Sequence, residues 1–171
     1  MKKIAIIFTT LAILCAMNTK AQEIPTYKYS FINEYGVFLG SGNAFTSVGS
    51  TGVFINGVTV NDKFFMGIGL GYESDSESGQ SIPIFLNYRY FLPSNKNFKP
   101  FLNFAVGSRF SYWTDYDSYW IDPVQKSAFG LYSTLGGGFN NHAFSFSSGL
   151  FLKSKGNKIF GGLEVKAGFK L

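Results

Sequence analysis

From about residue 31 to Leu171 the chain alternates apolar and polar positions with a period of two, and no helical period competes with it. The pattern predicts eight strands, at about 31–40, 47–60, 63–73, 81–92, 99–112, 126–139, 143–153 and 158–171. The last is the cleanest. Leu163, Val165, Ala167, Phe169 and Leu171 fall on one face, and Glu164, Lys166, Gly168 and Lys170 on the other. Strand seven sets Phe144, Phe146, Leu150 and Leu152 against Ser145, Ser147, Gly149 and Lys153. In strand two, Phe54 and Val58 share their face with Asn56, which predicts a β-bulge near Gly57.

The contents of the two faces set the fold class. The polar face is rich in Gly, Ser, Asn and Thr and carries Glu34, Glu73, Arg89, Arg109, Glu164 and Lys166. An unpaired ion in a soluble apolar core costs several kcal/mol. The apolar face is nearly free of charge for about ten residues per strand, the length that crosses a bilayer at a tilt near 45°. Apolar outside and polar inside is the signature of a membrane barrel. Closure follows, because an open strand edge in lipid leaves backbone groups unpaired. The expected fold is an all-β, eight-stranded antiparallel up-and-down transmembrane β-barrel.

Between strands, short links at Asn61-Asp62 and Asn140-Asn141 and a moderate one from Pro93 to Phe98 alternate with longer polar stretches at 74–80, 114–125 and 154–157 and with a short Gly-rich one near Ser41 to Ala44. This predicts periplasmic turns at one end and outward loops at the other, with both termini on the turn side. Aromatics gather near strand ends: Tyr72, Tyr112 and Trp113 at the loop end, and Phe64, Tyr90, Phe139, Phe144 and Phe169 at the turn end. Such placement suits headgroup girdles.

The first residues read differently. Lys2 and Lys3 precede an apolar run from Ile4 to Ala16, and Thr19-Lys20-Ala21 places small residues at the cleavage positions before Gln22. This is the pattern of a secretory signal peptide over residues 1–21, with the barrel domain over 22–171. Cleavage removes three lysines and no acid from a chain of formal charge +5, so the basic character belongs largely to the signal and gives no case for nucleic-acid binding. Cys15, the one cysteine, lies inside that run behind Leu14, where a lipoprotein cysteine follows a small residue. The expected mature chain thus has no disulfide and no thiolate metal site.

The segments NGVTVNDKFFMGIGLGYE (56–73), IPIFLNYRYFL (82–92) and KPFLNFAVGSRF (99–110) resemble outer-membrane β-barrel domain proteins of the porin-family, OmpA/OmpX-like kind. The terminal GLEVKAGFKL (162–171) resembles the C-terminal strand by which such barrels are recognised by the barrel-assembly machinery, ending on Leu171 where many members end on Phe. The resemblance implies a Gram-negative outer-membrane location, reached through Sec export, with outer-membrane lipid as surroundings and no cofactor.

Catalytic chemistry is sparse. The lone histidine, His142, reads as a polar turn residue, and position 144, where a lipid A deacylase would carry the serine of a His-x-Ser pair, is Phe144. Asp115, Asp117 and Asp122 lack the spacing of a cation loop. No helix follows the glycines at 67–71 or 136–138, so they are not nucleotide loops, and they read as space for Phe85, Phe101 and Tyr132 inside a narrow barrel. The expectation is a non-enzymatic barrel whose inward charges pair across the lumen. Trp113, Tyr116, Tyr119 and Trp120 are candidate surface-loop contacts. A narrow channel or hydrophobic-solute conduit stands as the alternative, and a soluble lipocalin-like barrel, which needs the opposite facing of its side chains, as a minor one.

Overall fold

The computed structural model describes residues 25–42, 45–76, 79–94, 97–115 and 124–171. Eight strands follow one another: β1 (Tyr27–Gly42), β2 (Phe45–Val60), β3 (Phe64–Asp75), β4 (Gly79–Phe91), β5 (Lys99–Asp115), β6 (Val124–Asn141), β7 (Phe144–Lys155) and β8 (Lys158–Lys170). Each pairs antiparallel with its sequence neighbour, and β8 pairs back onto β1, closing an up-and-down barrel. Residues 1–21, read as a signal peptide, lie outside the described residues.

The stagger of the barrel is fixed by its pairing. Stepping from partner to partner runs Ile32, Ile55, Gly69, Phe85, Gly107, Tyr132, Lys153, Phe160 and back to β1 at Gly42, ten residues further along. A staggered barrel of eight strands has an interior just wide enough for side chains. That inner ring sets glycine beside aromatic. The Phe85 ring lies over Gly69, so a Cβ there would overlap it. Phe85 then meets Tyr132 at 4.9 Å between ring centroids.

Side chains point as a bilayer requires. Leu163 and Phe104 on the outer face are 60% and 41% exposed, whereas Arg89 and Glu164 are 2% and 3% exposed. A soluble lipocalin-like barrel has the reverse arrangement, and that alternative falls here. The interior is not wholly polar. Ile32, Val53, Ile55, Phe65 and Phe101 are among one buried apolar cluster, and Phe38, Phe151 and Phe160 form another.

The Asn61–Asp62 turn accounts for the β2–β3 hairpin. Both residues take positive φ, 53° and 54°, a conformation that Asn and Asp tolerate and that matches strand twist. Thr26 N–H donates to Asn61 Oδ1 at 2.9 Å, tying the chain's lead-in to this turn.

Three expectations are corrected. No bulge occurs at Gly57: β2 pairs continuously with β1 and with β3, and Asn56 simply faces outward beside Phe54 and Val58. Asn56 pairs with Ile68 and stands among the outward Phe54, Ile68 and Leu70, so the apolar face carries one polar residue there without a change of phase. Gly57 answers instead to the close approach of β3, since a Cβ would overlap the Met66 carbonyl oxygen. Secondly, the loops are shorter than the polarity of the sequence suggests. Pairing continues to Asp75 in β3 and resumes at Gly79, and the β7–β8 turn is residues 156–157. Polar residues continue a ladder as well as apolar ones do once lipid no longer selects the outer face. The difference in length between the two ends thus rests largely on 116–123, which lie outside the described residues. Thirdly, Trp113 falls on the lumen side of the rim, in phase with buried Arg109 and Ser111, rather than in an outer girdle. The ladder between β3 and β4 has one interior lapse. Pairs run to Leu70–Ile84 and resume at Glu73–Ser81, skipping the positions beside Pro83, which has no N–H to give.

Candidate functional site

The lumen holds eight buried charged side chains among the described residues: Glu34, Glu73, Asp75 and Glu164 against Arg89, Arg109, Lys153 and Lys166. Alternation delivers each of them inward, and the barrel's stagger decides which ones meet. Arg89 on β4 reaches Glu34 on β1, Nη2 to Oε2 at 2.9 Å. Ser145 on β7 donates to Glu34 Oε1 at 2.8 Å and accepts from Arg89 Nη1 at 3.3 Å. Arg89 Nε donates to Asn87 Oδ1 at 3.1 Å, and Asn87 Nδ2 donates to Asn103 Oδ1 at 2.8 Å.

A second group is built on Arg109 of β5. Its Nε lies 2.8 Å from Ser81 Oγ and 3.1 Å from Glu73 Oε2, and its Nη2 lies 3.2 Å from Asp75 Oδ2. Ser47 holds the other Asp75 oxygen at 3.0 Å. Glu73 also accepts from Lys153 Nζ at 2.6 Å. Lys153 stands 4.0 Å from Glu164, whose other oxygen is 2.6 Å from Lys166 Nζ. Acids and bases therefore balance in a chain of contacts crossing from β3 to β8.

The cations are also set against ring faces. Arg89 lies 4.8 Å from the Phe101 centroid and Arg109 5.1 Å from that of Phe160. Lys153 lies between Phe38 at 4.1 Å and Phe151 at 4.3 Å. Such contacts favour a cation most where water is excluded.

All six charged residues singled out in the sequence, Glu34, Glu73, Arg89, Arg109, Glu164 and Lys166, stand in this lattice. Sequence reasoning left out Lys153 and Asp75. Lys153 has the right phase in strand seven and could have been found by it. Asp75 falls in a stretch read as loop, and no alternation marks it. Of the four aromatic candidates, Trp113 closes in β5 with Lys155 Nζ 3.6 Å from its ring, and Tyr116, Tyr119 and Trp120 lie outside the described residues. Asp115 is the final residue of β5, while Asp117 and Asp122 lie outside the described residues. His142 sits in the β6–β7 turn at φ 50°, exposed, and Ser145 gives its hydroxyl proton to Glu34.

A closed antiparallel barrel of eight strands, ionic within and apolar without, defines the transmembrane β-barrel fold. Solved structures share it. The N-terminal β-barrel domain of OprF from Pseudomonas aeruginosa is 14% identical with a TM-score of 0.54, covering 85% of this chain and 100% of that one. Neisserial surface protein A is 12% identical with a TM-score of 0.59, covering 85% and 98%. Ail, the attachment invasion locus protein of Yersinia pestis, solved with the heparin analogue sucrose octasulfate, is 10% identical with a TM-score of 0.59, covering 84% and 99%. At these identities the likeness is one of architecture. No protein-family model and no curated protein sequence matches the chain.

Proposed function

We propose that this chain is an integral barrel of the Gram-negative outer membrane, exported through Sec with residues 1–21 removed, and that it serves envelope structure or surface contact without catalysis. The observation that carries this reading is the inversion of its side chains: an apolar belt faces outward around a lumen whose ions are buried and paired. The parity of eight strands supports hairpin turns on the periplasmic side. The terminal strand, ending in Phe169 and Leu171, supports delivery by the barrel-assembly machinery. Envelope fractionation with cold and boiled gel mobility tests it. The protein is expected in the outer-membrane fraction, with a heat-dependent shift in mobility. Recovery from the soluble periplasm without detergent would overturn the assignment.

The same reading assigns no open pore. Arg89, Arg109, Tyr132 and Lys153 are large side chains, buried to 2% exposure or less, that occupy the lumen. Reconstitution into planar bilayers is expected to give no steady single-channel current of the size of open porins. Currents of that size would replace the structural reading with the channel or solute-conduit one. Surface contact is inferred for the segment 116–123 that joins β5 to β6, whose sequence offers the aromatic side chains of Tyr116, Tyr119 and Trp120.

A further inference from the structure

We propose that the turn-end mouth of the barrel is a binding site for a small oxyanion of the phosphate or carboxylate class. The site belongs to the barrel itself and stands whichever compartment this end faces. Here the lumen opens into a concavity of about 370 Å³. Lys28 from β1, Lys99 from β5 and Lys170 from β8 line it, with His142 at its rim. All three lysines have the lumen-side phase of their strands, being in register with buried Ser30, Phe101 and Glu164.

Cations outnumber anions in the mouth, unlike the lattice above it: Lys28, Lys99 and Lys170 stand against Asp62 and the carboxylate of Leu171. Lys28 is paired with Asp62 at 3.0 Å, and that hydrogen bond holds the Asp62 carboxyl below its usual range. Lys99 and Lys170 have no carboxylate within 4.0 Å among the described residues. The nearest deep acids are already engaged, Glu34 by Arg89 and Glu164 by Lys166. Lys170 Nζ is set 5.1 Å from the centroid of the buried Phe91 ring.

A second observation points the same way. Thr59 and Asn140 line the concavity, 3% and 5% exposed, and Thr59 Oγ1 and Asn140 Oδ1 have no hydrogen-bond partner. Buried polar atoms are ordinarily paired; Thr134 and Ser147 deeper in the lumen also lack a partner, but Thr59 and Asn140 differ from them in lining the concavity. A hydroxyl donates, and a carboxamide turned about its last torsion presents N–H in place of oxygen. Two free ammonium groups with two neutral donors at their base suit an oxyanion, because hydrogen bonds between ionised partners are the stronger kind. The oxyanion is either a free solute or the headgroup of a lipid.

The test is a titration of the ¹⁵N-labelled chain, refolded in a phosphate-free detergent, with sodium phosphate against sodium chloride of equal ionic strength. Saturable amide shifts are expected at Asn140, His142 and Lys170 and not at Trp113 or Lys155 at the other mouth. The Lys99→Gln/Lys170→Gln variant is expected to bind about tenfold more weakly or not at all, while Lys158→Gln at the opposite end binds as the parent does. A parallel arm in nanodiscs with phosphatidylglycerol and no free phosphate identifies the headgroup as the source if the same amides shift there. The proposal is overturned if chloride gives the same shifts, if both mouths respond alike, if the double variant retains full affinity with native signal dispersion, or if neither arm moves these amides.

Discussion

Replacing Glu73 by glutamine lowers the stability of the folded barrel by about 3–5 kcal/mol, the cost of removing one partner from a buried ionic contact. Glu73 is the acid shared by two cations: Lys153 at 2.6 Å and Arg109 at 3.1 Å, all three fully buried. Glutamine keeps the shape and removes the charge. Lys153 is then left facing Glu164 at 4.0 Å, and Arg109 depends on Asp75. Urea titration in phospholipid vesicles, followed by tryptophan emission, measures the loss. Adding Lys153→Met to Glu73→Gln should recover much of it, because the ammonium that Glu73→Gln leaves uncompensated is then removed as well. A loss below about 1 kcal/mol, the range of solvent-exposed pairs, would mean that water enters the lumen.

Leu163→Arg is the second large effect. Leu163 lies near the middle of β8, facing Leu39 on one side and Leu150 on the other. In a bilayer the arginine costs about 2–4 kcal/mol relative to alanine at the same site, since the midplane offers the guanidinium neither water nor a counter-ion. In a soluble barrel a residue as exposed as this one would accept arginine at almost no cost. Vesicle refolding of Leu163→Arg beside Leu163→Ala separates the two. Equal midpoints would contradict the lipid-facing belt. The two substitutions probe opposite sides of one wall.

The wall itself is what the sequence makes legible. Period-two alternation is enforced independently on each strand, because every outer position meets lipid and every inner one meets the lumen. Leu163, Phe144 and Arg89 could therefore be placed without knowing the pairing. The partners of Arg89 could not. Glu34 lies 55 positions away and Ser145 56 positions away. They meet only because of the stagger, which is a property of the whole ring. The ring-face contacts of Lys153 are hidden for the same reason. At the rims the outer face no longer has to be apolar, so the sequence loses its marker where the ladder does not. Asp75 was missed there. Asn56 misled in another way: a single polar residue on the outer face reads as a change of phase, although the pairing of β2 with both neighbours runs on unbroken.

Pro83 gives the cylinder a direction in which to yield. Elsewhere each rung between neighbouring strands is backed by the next, so a lost rung is held by those on either side. Beside Gly71 and Tyr72 two successive rungs are already missing. Breathing within the body of the tube is expected to start from that notch, between its third and fourth staves.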